Sequence, residues 1–256
     1  MEILKITNLT KRFGRHLAVD DVSLSGNAGE IYGFLGPNGA GKTTTIKMLA
    51  GLLKQDKGTI VINGHDLAVD STICKQLTGY IADRPWLYEK LTGMEFLQFI
   101  ASLYKLDKDR FDASTAHFLK LFDLYDWRDN LIESYSHGMR QKLIMTSVLM
   151  QDQPLMIIDE PMVGLDPKSA RLIKELFKQR AKSGTAIFMS THSLEIAEEL
   201  CHQIAIITDG KILTSGTMEM LRKEAGKKDS DLEDIFLELT GAWELQEVIS
   251  ALKGRS

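Results

Sequence analysis

Short apolar runs broken by turn residues open the chain, and longer stripes at helical spacing replace them past its first third. Residues 2–24 alternate β-like pieces with turn signals: Glu2 to Leu9, the segment Lys11-Arg12-Phe13-Gly14-Arg15, then Ala18 to Leu24. These predict antiparallel strands ahead of a buried strand at Ile31 to Leu35. A helix is predicted from Thr43 to a stop at Gly51, followed by a strand over Gly58 to Gly64. A weaker element then leads to a strand at Gly79 to Asp83, and Pro85 prevents its continuation.

From Leu91 the period changes. Thr92 and Glu95 form a capping box ahead of Phe96, Leu97, Phe99, Ile100 and Leu103. Phe111 to Phe122 carries a second stripe, and a third helix starts near Ser136 and runs through Leu143, Ile144, Val148 and Leu149. Residues from about 84 to 150 are thus predicted to be a helical insertion in an α/β protein. The α/β rhythm resumes with an apolar strand from Leu155 that ends in Asp159-Glu160. Asp166-Pro167 then introduces a helix from Lys168 to Lys182. A strand over Thr185 to Ser190 leads into a helix from Leu194 to Leu200, capped from Thr191-His192-Ser193. Asp209-Gly210 signals a hairpin between Ile204 to Thr208 and Lys211 to Thr214. Arg222 to Asp231 is apolar-poor and predicted to be a linker. Ser230 and Glu233 form a further capping box, for a helix with Leu232, Ile235, Phe236 and Leu239 on one face. Past Gly241, Leu245, Val248, Ile249 and Leu252 repeat that spacing. Each tail stripe must cover the core domain, a second copy or a partner.

Composition narrows the classes. The 256 residues are 44% hydrophobic and 26% charged with a net charge of −4, an ordinary globular balance with no electrostatic case for nucleic acid. Cys74 and Cys201 lie far apart without metal-ligand spacing, so reduced thiols are expected. The start of the chain has no basic segment followed by an apolar one, and no run approaches the roughly 18 apolar residues of a membrane span. The expectation is a cytoplasmic protein that meets a membrane only through a partner.

The chemistry starts at Gly36-Pro37-Asn38-Gly39-Ala40-Gly41-Lys42-Thr43-Thr44, which fits the phosphate-loop pattern at every fixed position, between a predicted strand and a predicted helix. Backbone amides around Asn38, Gly39 and Gly41, with the helix start at Thr43 and Thr44, suit a triphosphate. Lys42 would reach its β- and γ-phosphates, and the Thr43 hydroxyl would sit on Mg2+. Asp159 at the end of an apolar strand would hold that Mg2+ through water, while Glu160 would polarise the attacking water. His192, at another strand end, would orient the water or donate to the γ-phosphate. Phe13 stands open between stacking on a base and filling a small core.

In order along the chain, Gly36 to Thr44, Tyr135-Ser136-His137-Gly138-Met139, Leu155 to Glu160, Gly164-Leu165-Asp166 and Ser190-Thr191-His192 resemble the nucleotide-binding subunits of ATP-binding-cassette transporters. The resemblance covers residues of about 2 to 220. It implies a phosphate-loop NTPase of the cassette type, α/β, with a RecA-like core, an N-terminal antiparallel β-subdomain and an inserted α-helical subdomain, followed by a helical tail over residues 221–256. It implies ATP and Mg2+ as ligands, and it makes Phe13 the adenine-stacking aromatic and His192 the switch histidine. It also implies that Ser136 and Gly138 belong to a signature that closes on nucleotide held by a second subunit, with Asp166 in the loop after Glu160. The partners implied are that second subunit and a transmembrane permease. Three positions depart from the family pattern. His137 replaces a glycine of the signature, Met139 replaces its terminal glutamine, and Asp83 replaces a glutamine that touches Mg2+ or the attacking water. Leu232 to Gly241 resembles the tail of bacterial drug-export-type ATPases, which implies export. Trp86, Leu87 and Tyr88 would either line a groove for a permease helix or pack on the helical lobe. The rival readings are a soluble cassette ATPase acting on ribosomes or DNA, and a nucleotide-gated module with little turnover.

Overall fold

The computed structural model describes residues 1–83, 86–162, 164–226 and 231–239. The chain opens with β1 (Glu2–Phe13) and β2 (His16–Asn27), then the buried strand β3 (Ile31–Leu35) and helix α1 (Lys42–Leu49). β4 (Lys57–Ile62), the short β5 (His65–Asp66), α2 (Ser71–Gln76) and β6 (Thr78–Ile81) follow. Three helices come next: α3 (Gly93–Leu103), α4 (Lys108–Leu121) and α5 (His137–Leu149). The remainder runs β7 (Leu155–Asp159), α6 (Pro167–Lys182), β8 (Ala186–Thr191), α7 (Leu194–Leu200), β9 (Gln203–Thr208), β10 (Lys211–Gly216), α8 (Met218–Glu224) and α9 (Leu232–Leu239).

Two sheets result. β2, β1, β4 and β5 form an antiparallel sheet, and a second sheet has the order β10-β9-β3-β8-β7-β6. Every pair of the second sheet is parallel except β9 with β10. That exception is the hairpin at Asp209-Gly210, where φ of 47° and 78° puts both turn residues in the left-handed region that two-residue hairpins favour. β3, β7 and β8 are buried at every position, as strands covered on both faces must be. Alternation along them divides the core. Tyr32, Phe34 and Phe188 point toward α1 and the antiparallel sheet; the Phe188 ring stacks on Tyr32 at 5.6 Å and meets Phe34 tilted at 5.4 Å. Ile31, Ile187, Met189 and Ile158 point the other way, into a core shared with α3, α4, α5 and α6.

The helical segment between β6 and β7 begins as its capping box requires, with the Thr92 hydroxyl accepting from the Glu95 amide and the Glu95 carboxylate from the Thr92 amide. α4 starts earlier than its apolar stripe, because the Asp107 carboxylate caps the Arg110 amide. The linker expected over Arg222 to Asp231 is in part helical: α8 runs to Glu224, started by the Thr217 cap and anchored by the fully buried Leu221. One buried residue in seven leaves no period to detect in the sequence. α9 is capped by Asp231, whose carboxylate accepts the Asp234 amide. Its Leu232 and Ile235 are fully buried with Ala197 and Ile204, so this tail stripe covers the chain's own domain. Arg84 and Pro85, the Ser230 cap, the Leu239 side chain and the stripe at 245–252 lie outside the described residues.

Candidate active site

The loop between β3 and α1 is fixed by its backbone. Gly41 has φ of +105°, where an L side chain is strained, and a Cβ there would collide with the Ala18 carbonyl of β2. No side chain caps α1 and no acidic residue enters its first turn, so its leading amides face the loop without an internal acceptor. α3, α4, α5, α6, α7 and α8 each carry a side-chain cap. Lys42 is only 7% exposed, and its Nζ donates to the carbonyls of Gly36 at 2.6 Å and Pro37 at 3.0 Å. Burial holds its pKa below the usual lysine value, opposed by the carboxylates of Glu160 and Asp159.

Strand register brings the remaining groups to the same edge. Leu35 pairs with Thr191 and Asp159 with Ser190, so β3, β8 and β7 end level and their next residues emerge together. Asp159 is buried and accepts the Ser190 hydroxyl. Glu160 breaks from the strand with φ of +53°, a conformation that costs a non-glycine residue about 1–3 kcal/mol and recurs at functional sites. Its amide still donates to the Ser190 carbonyl at 3.2 Å, and its Oε1 lies 2.9 Å from Nδ1 of His192.

Lys42, Glu160 and His192 line one open cleft of about 490 Å3. Thr43, Thr44, Asn38, Gly39 and Gly41 line it with them, as do Asp83 and Phe13. Phe13 is half-exposed, belongs to no core cluster and lines the cleft. The strand sequences did not reveal His16 and Ala18, which also line the cleft. His16 faces Phe13 across the Gly14-Arg15 turn, so treating those two residues as a hairpin would have placed it there. Thr43 and Asp83 also line an adjoining cleft of about 300 Å3, where Asp159 and Trp86 join them. Their donors are all oxygen, and one carboxylate is already oriented by a hydroxyl, which fits a hard cation such as Mg2+. The open amides of α1 beside Lys42 fit a triphosphate equally well.

Ser136, Gly138 and Asp166 do not line this cleft. Ser136 caps α5, its hydroxyl accepting the Met139 amide at 3.3 Å. Asp166 caps α6, taking the Ser169 hydroxyl and amide and, more weakly, the charge of Lys142 at 3.8 Å. Those contacts hold its carboxyl down at about 2. Of the aromatic cluster after Asp83, Leu87 packs on the helical lobe, whereas Trp86 is 93% exposed and Tyr88 meets Phe99 edge to face.

A phosphate loop, a buried aspartate and a following glutamate on level parallel strands, beside an antiparallel sheet and a helical insertion, define a phosphate-loop NTPase of the cassette architecture. Residues 19–163 match the ABC transporter family. The ABC-type transporter ATP-binding protein EcsA of Bacillus subtilis (strain 168) is 36% identical over 94% of this chain and 97% of its own length. The SkfA peptide export ATP-binding protein SkfE of the same organism is 38% identical over 83% of this chain and 88% of its own. The daunorubicin/doxorubicin resistance ATP-binding protein DrrA of Streptomyces peucetius is 34% identical over 87% of this chain and 68% of its own. A solved ATP-binding subunit of an ABC transporter superposes with a TM-score of 0.90 and 32% identity, covering 93% of this chain and 99% of that one. The chain belongs to the ABC transporter family and is an ATP-binding subunit within it.

Proposed function

We propose that this subunit hydrolyses ATP in a head-to-tail pair of cassettes and thereby drives a separate membrane permease in the direction of export. The observation that carries the reading is the convergence of Lys42, Thr43, Glu160 and His192 on one cleft at the level ends of β3, β7 and β8.

In this reading Phe13 stacks on the adenine at the rim, and the loop amides with the first turn of α1 hold the phosphates. Lys42 exchanges the carbonyls of Gly36 and Pro37 for β- and γ-phosphate oxygens. Thr43, Asp159 and Asp83 would hold Mg2+, which when bound neutralises charge on those phosphates. Glu160 accepts a proton from the water that attacks the γ-phosphorus as the bond to the bridging oxygen breaks and ADP leaves. His192, whose Nδ1 lies 2.9 Å from the Glu160 Oε1, keeps that carboxylate aimed into the cleft. Ser136 and Gly138, outside their own cleft, serve the nucleotide of a second copy, with Asp166 at the boundary.

Among the described residues no helix is long and apolar enough to cross a membrane, so membrane work falls to a partner. The exposed Trp86, which lines the adjoining cleft, and the exposed Tyr88 supply an apolar surface for it, and the subunit sits at the cytoplasmic face. Export follows the printed roles of the peptide-export and drug-resistance relatives. In the full chain, Glu160→Gln lowers steady-state phosphate release about 10²–10⁴-fold while equilibrium ATP binding persists. Normal turnover in that variant, with the permease present or absent, overturns the assignment.

A further inference from the structure

His137 is the first residue of α5, and its ring rests on Gly164, in the loop that follows Glu160. A Cβ on Gly164 would lie 2.7 Å from the ring's Nε2 and nearer still to Cδ2, closer than real side chains approach. Gly164 also has φ of +78°, which disfavours any side chain there. Two further contacts join the same segments. A Cβ on Gly138 would stand 3.5 Å from the Gly164 carbonyl, an ordinary van der Waals distance, and Lys142 Nζ lies 3.8 Å from Asp166 Oδ2. The start of α5 and residues 164–166 therefore meet along a seam inside one subunit, and the ring of His137 lies on it.

We propose that His137 is a positioning residue: seated on Gly164, its ring sets the spacing between the start of α5 and the loop carrying Asp166. Ser136, Gly138 and Asp166 are thereby presented to a second copy as one preformed surface. The inference rests on the two-copy site proposed above. A glycine at position 137 would leave Gly164 without its packing partner, and the loop would then have to be ordered as the second copy docks, which weakens association. The effect falls on pairing rather than on the chain's own nucleotide, because neither His137 nor Gly164 lines the cleft.

The test uses the full chain in a Glu160→Gln background, with ATP binding to the dilute subunit and ATP-dependent self-association read separately. His137→Gly should leave ATP binding unchanged and raise the dimer dissociation constant about tenfold. His137→Phe, which keeps a flat ring over Gly164, should restore association. Melting of the nucleotide-free chains gives an independent measure. Gly164→Ala should destabilise less in the His137→Gly background than alone, because the clash with the ring is gone and only the backbone strain remains. Additive melting effects, undiminished association in His137→Gly, or failure of His137→Phe to rescue would each overturn the proposal. Absence of ATP-dependent association in the Glu160→Gln parent would instead overturn the two-copy reading, and the melting cycle would still decide whether ring and loop are coupled.

Discussion

The phosphate cleft and the start of α5 are both surfaces to which the reading above assigns phosphate, yet they are held by opposite means. Lys42, Glu160 and His192 each come after a strand buried at all positions, and the parallel ladder sets their height. The start of α5 belongs to a helical segment with few main-chain ties to the sheet and is fastened by side chains. The Tyr135 hydroxyl donates to the Trp127 carbonyl at 2.7 Å, and Arg140 reaches the Glu89 carboxylate at 2.7 Å and the carbonyls of Tyr135 and Glu133 at 3.2 Å. α1 leaves its first amides open, whereas Ser136 closes one of the amides of α5. Main-chain ladders hold the cleft, and side-chain contacts hold the second surface.

The largest expected effect separates the two regions. Tyr135 is buried, and its hydroxyl sits where a Cβ on Gly93 would be, so the ring joins α3 to the segment entering α5. Tyr135→Ala should cost about 3–5 kcal/mol of stability, the range for emptying an aromatic site. Tyr135→Phe, which removes only the hydrogen bond, should cost about 1 kcal/mol. Denaturant melting reads both. At a temperature where Tyr135→Phe is folded, its ATP affinity should match that of the parent. A fall in affinity in step with the lost stability would show that cleft and lobe form one mechanical unit after all.

The next effect probes the cleft from within. Burial lowers the pKa of Lys42, so its ammonium loses a proton at a lower pH than an exposed lysine does, against the pull of Glu160 and Asp159. The neutral amine has no charge to offer a phosphate, so ATP affinity should decline as pH rises, beginning below the value of about 10.4 for a free lysine. A charge-assisted hydrogen bond contributes about 1.5–3 kcal/mol, which sets the size of the loss. Lys42→Arg keeps its charge through that range and should flatten the profile even if it binds less well at neutral pH. A wild-type profile as flat as that of the arginine variant would place the binding charge elsewhere.

The same contrast explains what could be read from the sequence. Gly36 to Thr44 and Asp159-Glu160 are contiguous, and each carries its own confirmation in the apolar strand before it. The bond from Ser190 to Asp159 was hidden because it depends on β7 lying beside β8, and parallel neighbours leave no local signal of their pairing. Locally Phe13 stood open between two readings and only the resemblance placed it; its pairing with His16 depends on the β1–β2 register. The start of α5 was legible as a helix, but its phosphate role came only through resemblance. Locally it is a serine-capped helix, and the seat of His137 on Gly164 spans segments that nothing in their own sequence connects. α8 escaped notice because a helix with a single buried anchor has no apolar stripe to show.

The smallest effect lies on the seam. Asp166 is held at about 2 by the Ser169 hydroxyl and amide and then by Lys142 at 3.8 Å. Its folded pKa is therefore below its unfolded value of about 3.9. A lowered carboxyl pKa stabilises the fold at pH values above the unfolded pKa, and that contribution is lost as pH falls through the folded value. Asp166→Asn can still cap α6, since asparagine ranks with aspartate at that position, so the substitution removes the charge and leaves the cap. With the side chain half exposed, solvent screens the pair and the difference in melting temperature at neutral pH should be small. It should shrink further between pH 4 and pH 2, where wild type loses the same charge, and steady ATP binding throughout at neutral pH would keep Asp166 out of the cleft. A melting difference that persists unchanged at pH 2 would mean that Asp166 acts on the seam through shape alone, and that the Lys142 contact adds nothing to it.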